Sequence, residues 1–284
     1  MQVLLMGHKQ SKLILSASAY LITKYIGANF NTTFVNFGRN RFELFGNGYF
    51  ELGKFRMGGI SQWSSECIKV VSQVSDEFLI FGLDDYLINY PIEMNSYSLL
   101  LNAMKSDNKI ACAKMGFTPA WRKEDINDFG NGIYSLNQNA DYLATTQWGI
   151  WRKDVLLEIL KTVQTPWQFE LDGTRTLRML NQKIIGTYTP ALIYPEASSL
   201  SSRHPGKINV LGNSMDDIEN LSKLGLIKKE NLILGQWEGK VHEFEMEESM
   251  RIDPLEICPT EALQYYQLYL AHLKSKGLKL YSAK

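Results

Sequence analysis

The sequence predicts an α/β protein, a sheet with helices on its faces. Two observations predict it. Short continuous apolar runs, the pattern of strands buried on both faces, alternate with stripes at helical spacing through the first half of the chain. A polar, often glycine-containing turn follows each run, where open sheets of this class meet their ligands.

Val3–Met6 reads as the first strand, closed by Gly7-His8-Lys9. Residues 11–25 read as a helix with Leu13, Ala17, Leu21 and Tyr25 on one face. Thr33–Phe37 is a second strand, followed by Gly38-Arg39-Asn40-Arg41. Neither G-x-G-x-x-G nor a Walker loop occurs, so dinucleotide and P-loop readings lack their fingerprints. Residues 42–60, rich in glycine and aromatics, read as a loop over the sheet. Cys67, Val70, Val71 and Val74 form a helical stripe, for which Ser64 is the expected N-cap. That helix feeds a strand at Phe78–Phe81, which runs into Gly82-Leu83-Asp84-Asp85-Tyr86.

A helix is expected over Met94–Lys105 and a strand over Lys109–Ala113. Residues 114–144 are polar and aperiodic, a long loop of the kind that carries function. Gln147–Trp151 reads as a returning strand and Lys153–Val163 as a helix. Thr165-Pro166 opens another helix, with a capping residue followed by proline in the first turn. Lys183–Gly186 and Ala191–Tyr194 read as short strands. From about residue 210 the pattern turns mostly helical, with helices expected at Asp216–Leu224 and Thr260–Leu273.

The 284 residues, 45% hydrophobic and 21% charged, suffice for one large domain or a domain with an appendage. Lysine plus arginine and aspartate plus glutamate number 30 each, so no basic surplus exists for bulk nucleic-acid binding. Cys67, Cys112 and Cys258 are odd in number and far apart, which fits buried thiols in a reduced, cytoplasmic setting. The apolar start, Met1–Met6, has a strand's length, too short for a signal peptide or a span.

The Asp84-Asp85 pair stands at the end of a buried strand, and adjacent carboxylates repel one another unless something positive sits against them. A divalent cation would do so; an ordinary acidic turn is the competing reading. Three stretches taken in order, Phe78–Tyr86, Gln147–Lys153 and Pro166–Glu170, resemble bacterial glycosyltransferases of the GT-A fold that act in surface-polysaccharide synthesis. The resemblance covers roughly residues 1–207. It implies a Rossmann-like mixed sheet flanked by helices in a catalytic domain over 1–209. Within it, 1–113 would hold the nucleotide sugar and 114–209 the acceptor, with 210–284 a mostly helical extension.

The implied activity is transfer of a sugar, of hexosyltransferase type, from a nucleotide-diphosphate donor to a hydroxyl of a glycan or lipid-linked acceptor, with inversion. Asp84-Asp85 would stand for the family's D-x-D motif, with Leu83 where its first Asp belongs. Mn2+ or Mg2+ would then sit on Asp85, joined by His204, and Asp84 would serve the donor ribose or the metal's outer contacts. Glu170 would be the general base, with Asp172 in reserve. Trp148, Trp151 and Trp167 would offer ring faces to sugars, where core packing is the alternative. Lys207 would meet the diphosphate, unless it and His204 belong to a plain surface loop. His8, Lys9, Asn36 and Arg39 lie at or just after the carboxyl ends of the first two strands and would lie near the donor.

Two rivals stand beside this reading. One is a sugar nucleotidyltransferase, which usually carries a glycine-rich basic loop that Gly7-His8-Lys9-Gln10 matches poorly. The other is an inactive carbohydrate-binding or scaffold protein on the same fold. The stripe Leu263, Tyr266, Leu270 and Leu273 would pack on the core or on a second copy of the chain; docking to a membrane-bound assembly partner is the sharper alternative.

Overall fold

The structure, a computed structural model, describes residues 1–7, 12–27, 29–35, 62–116, 125–194, 208–210, 213–237 and 240–243. The elements in chain order are β1 (Gln2–Met6), α1 (Lys12–Tyr25), β2 (Asn31–Val35), α2 (Trp63–Val71), β3 (Phe78–Leu83), α3 (Met94–Ser106) and β4 (Ile110–Lys114). They continue with β5 (Ile126–Gly130), β6 (Ile133–Leu136), β7 (Gly149–Arg152), α4 (Lys153–Thr162), α5 (Pro166–Met179) and β8 (Lys183–Thr187). The last are β9 (Ile208–Asn209), α6 (Met215–Lys223), β10 (Leu232–Trp237) and β11 (Lys240–Glu243).

Eight strands form one mixed sheet in the order β2-β1-β3-β7-β4-β8-β6-β5. β1 runs parallel to β2 and β3, and β4 parallel to β8. β7 enters between β3 and β4 antiparallel to both, so the two parallel sets share one direction across a single reversed strand. Alternate residues of the buried strands feed two cores. Val3, Leu5, Phe78, Ile80 and Ile150 pack with α1, α3 and α6; Leu4, Met6, Leu79, Phe81, Cys112 and Trp151 pack with α2, α4 and α5. Strands buried on both faces are why continuous apolar runs identified them.

Three local expectations differ. Ser64 lies inside α2 rather than capping it: its hydroxyl donates to the Leu160 carbonyl of α4 and its N–H to Gln164. Both groups donate outward to the α4 segment, so Ser64 serves the packing of α2 on α4 rather than its N-terminus. The second strand is described over Asn31–Val35, and Asn36 and Phe37 lie outside the described residues. Residues 126–136, expected as loop, form the β5–β6 hairpin. Its turn, Gly130-Asn131-Gly132, has positive φ at all three positions, the conformation these residue types supply. Residues 191–194 are not a strand but make one parallel bridge, Leu192 to Gly116.

Within residues 210–284 the described residues hold α6, a 3-10 turn at Lys229–Asn231 and strands β10 and β11, β10 pairing with β9 just before them. Ile218, Leu221, Ile227 and Leu232 join the core beneath α1. The helix expected at Thr260–Leu273 lies outside the described residues. Among those described, no helix is long and apolar enough to cross a membrane.

Candidate functional site

The carboxyl ends of β1, β3, β4 and β8 share one edge of the sheet, where β7 begins. β3 runs directly into the Asp84–Tyr86 turn. Two backbone contacts hold the turn down: the Asp84 N–H donates to Met6 O at 3.1 Å, and the Ser18 hydroxyl of α1 donates to Asp84 O. Trp148 secures its far side. The indole lies where a side chain at Gly82 would be, a Cβ there falling 2.5 Å from Cδ2, and its Nε1 donates to Tyr86 O at 3.3 Å. Gly82 and Trp148 are therefore one fitted pair that sets the position of the two aspartates.

Asp84 is buried. Asp85 is half-buried, but its Oδ1 is sealed from solvent and makes no hydrogen bond. Burial pushes the Asp85 carboxyl up to about 6; the Glu170 charge adds to the rise and a hydrogen bond from its own backbone opposes it. The Tyr86 phenol is pushed well up by burial and by the nearby Asp85, Glu170 and Tyr194.

Glu170 reaches this edge from α5. Thr165 caps that helix in a complete capping box with Gln168, and Pro166 opens its first turn. Phe169 is buried against Trp63, Phe81 and Trp151, which sets the helix over β3 and β7 and turns Glu170 toward the sheet edge. The Thr146 N–H and hydroxyl both donate to Glu170 Oε1, at 3.1 and 2.9 Å. The Thr174 hydroxyl, donating to Glu170 O at 2.6 Å, accepts from the Ala144 N–H at 3.1 Å. Residues 144–146 thus run along α5 and hold its carboxylate by one oxygen.

Asp85 and Glu170, far apart in sequence, therefore come within electrostatic reach of each other. Lys114, the last residue of β4, joins them: it is 2% exposed and its ammonium lies within reach of Glu170. Sequence reasoning ended that strand at Ala113 and so missed Lys114, although a lysine closing Ile110-Ala111-Cys112-Ala113 was a visible signal. It also missed Thr146, whose role depends on where α5 docks.

Other expected residues are placed differently. Trp148 and Trp151 are both 0% exposed, so neither presents a ring face to a sugar. Trp148 buttresses the aspartate turn, and Trp151 packs on Phe169 in the core. Trp167 is 62% exposed on the same helix as Glu170. Asp172 faces outward in a pair with Arg175. His8, Lys9, Asn36, Arg39, His204 and Lys207 lie outside the described residues. Among the described residues no group of three His, Cys, Asp or Glu side chains is arranged to hold a metal.

No protein-family model matches the chain, and no curated protein matches it in sequence. Solved structures give faint likenesses. The S. aureus protein TarS in complex with UDP-GlcNAc aligns at TM-score 0.46 and 13% identity over 71% of this chain and 60% of its own. A UDP-glucose pyrophosphorylase complexed with UDP-glucose aligns at 0.41 and 12%, over 66% and 89%. The mannosyltransferase PcManGT from Pyrobaculum calidifontis, in complex with GDP-Man and Mn2+, aligns at 0.42 and 8%, over 72% and 58%. At scores of 0.41 to 0.46 and identities of 8 to 13%, these likenesses are too slight to assign a family or an activity to this chain.

Proposed function

We propose that the chain is a glycosyltransferase that moves a sugar from a nucleotide-diphosphate donor to the hydroxyl of a glycan or lipid-linked acceptor. The observation that carries this reading is the meeting of Asp85 and Glu170 at one sheet edge, Asp85 with a sealed, unbonded Oδ1 and Glu170 held through Oε1 alone. Two carboxylates of different environment suit two roles.

Glu170 is the general base. Oε1 is occupied by Thr146, so Oε2 takes the proton of the acceptor hydroxyl as its oxygen forms a bond to the anomeric carbon. The bond from that carbon to the diphosphate breaks in the same step, the leaving group departs with the electron pair, and the configuration inverts. The unbonded Oδ1 of Asp85 fits a hard cation, and Mn2+ or Mg2+ there, with His204 as a second ligand, would supply positive charge beside the diphosphate. Asp84 serves the donor ribose. His8, Lys9, Asn36, Arg39 and Lys207 are donor contacts in this reading, and the exposed Trp167 is the acceptor's ring-stacking wall. Residues 1–113 are the donor half, 114–209 the acceptor half and 210–284 an extension.

The test is a thermal-shift panel of UDP, GDP, CMP and dTDP with and without Mn2+, on wild type and Asp85→Asn. One diphosphate nucleotide should stabilise the wild type in a metal-dependent way, with the shift lost in the variant. With the matching nucleotide sugar, Glu170→Gln should keep donor binding while transfer falls about 10²- to 10⁴-fold. Absence of any nucleotide shift would favour the carbohydrate-binding reading. Release of pyrophosphate from a nucleoside triphosphate and a sugar phosphate would establish the nucleotidyltransferase instead.

A further inference from the structure

Tyr188 follows the last residue of β8 and is 52% exposed, although its backbone and its ring are both held. Its N–H donates to Gly132 O at 3.1 Å, in the turn of the β5–β6 hairpin. Its ring lies 5.5 Å, centroid to centroid, from that of the buried Tyr134 of β6. The Tyr134 hydroxyl fills the space over Gly186, where a Cβ would fall 2.4 Å from Oη. The exposed phenol therefore stands on a fixed mount, and a ligand stacked on it would freeze little side-chain freedom.

The mount stands on the ligand edge of the sheet. One lateral row crosses the strands, Phe81, Gly149, Lys114, Gly186 and Tyr134, each in register with the next. β3 and β8 run the same way, and Asp85 and Tyr188 both lie beyond this row, past the carboxyl ends of those strands. The order β3-β7-β4-β8 puts about 14 Å, three strand spacings, between them. Tyr134 belongs to the same core layer as Cys112, Trp151 and Phe169, so Tyr188 stands on the α5 side of the sheet, with Glu170.

The neighbours of Tyr188 say what it can hold. Asp128 of β5 is exposed and pairs directly with Tyr134, so its side chain is on the same face of the hairpin. Phe129, the other exposed aromatic of that hairpin, is on the opposite face, with Lys183 Nζ 5.5 Å from its ring centroid. A phenol beside a carboxylate offers an apolar ring face and a hydrogen-bond acceptor together. A pyranose uses both, its C–H face on the ring and its hydroxyls on the carboxylate. A lipid chain would gain from the ring but would desolvate the carboxylate without a partner.

We propose that Tyr188 and Asp128 form a second acceptor subsite, which stacks a sugar ring several units away from the hydroxyl that reacts. The acceptor is therefore a glycan chain and not a single lipid-linked sugar. This rests on the transfer at Glu170 proposed above. Neither residue touches the reacting atoms.

The test applies the full chain carrying Glu170→Gln, so that nothing bound is consumed, to an array of immobilised oligosaccharides from monosaccharides to hexasaccharides. It should retain tetrasaccharides and longer chains over monosaccharides and disaccharides of the same sugars. Adding Tyr188→Ala should cut the bound signal about tenfold. Tyr188→Phe and Tyr188→Trp should keep most of it, and Phe129→Ala should leave it unchanged, all with the same melting temperature. Failure to retain any glycan, no preference for length, an equal loss in Phe129→Ala, or a loss that tracks a lower melting temperature would each overturn the proposal. Nucleotide-induced melting shifts on the same proteins separate the two readings. Tyr188-dependent glycan retention without any nucleotide shift would keep the sugar subsite and sink the transfer reaction; a nucleotide shift without glycan retention would do the reverse.

Discussion

Asp85 combines a sealed oxygen with a carboxyl pushed up to about 6, chiefly by burial. The folded chain therefore holds that proton up to a higher pH than the unfolded chain, whose reference value is 3.8. As pH rises between these two values, folding loses stability, and above about 6 the full penalty is present. Asp85→Asn should therefore be more stable than wild type by about 1–3 kcal/mol at pH 7 in EDTA, and no more stable at pH 4. Denaturant titrations at the two pH values decide it; an equal or lower stability at pH 7 would show that the carboxylate is not penalised by its setting. Such a gain on removing a charge is the stability cost of a functional group.

Among the elements, β7 does most to build the site. Its approach places Trp148 over Gly82, its first residue flanks Lys114, and its last, Arg152, closes the opposite end of the sheet. There the guanidinium donates to Glu77 Oε1 and Met104 O, each at 2.6 Å, and lies 4.8 Å from the Phe78 ring centroid. Gly82→Ala would drive a methyl into the Trp148 indole. A loss of about 1–3 kcal/mol is expected, together with a weaker nucleotide-induced melting shift because the aspartate turn moves. Wild-type stability and nucleotide response in Gly82→Ala would rule out Trp148 as the buttress. The capping box of α5 was legible at Thr165-Pro166, because capping is local chemistry. The β5–β6 hairpin carries its own local signal in Gly130-Asn131-Gly132, set within a polar, aperiodic stretch.

Across the whole molecule, α6 is tied to α1 by core packing and by one buried carboxylate. Asp217 of α6 is fully buried and accepts from Lys24 Nζ at 2.8 Å and Tyr25 Oη at 2.5 Å, both at the end of α1. Burial and that carboxylate push the Tyr25 phenol far above its ordinary range. Asp217→Ala should cost about 3–5 kcal/mol, because a lysine and a phenol lose their buried partner. Hydrogen exchange should quicken first across 214–227, with β1, β3 and β4 still protected. A uniform rise over the whole chain would mean that extension and sheet unfold as one unit.

By itself the sequence determined the α/β class, the order of the sheet-forming runs, the aspartates at the end of β3 and the capped helix carrying Glu170. These depend on periodicity, capping and turn chemistry, which act over a few residues. Tertiary structure alone decided what surrounds those carboxylates. Periodicity marks a tryptophan as apolar but not whether it is buried, so Trp148 and Trp151 lie in the interior while Trp167 is exposed. The grip of Thr146 on Glu170 and the nearness of Lys114 arise only when β7 inserts between β3 and β4. That insertion depends on long-range register, in which Gly82 leaves room for Trp148 and Gly149 stands beside Lys114.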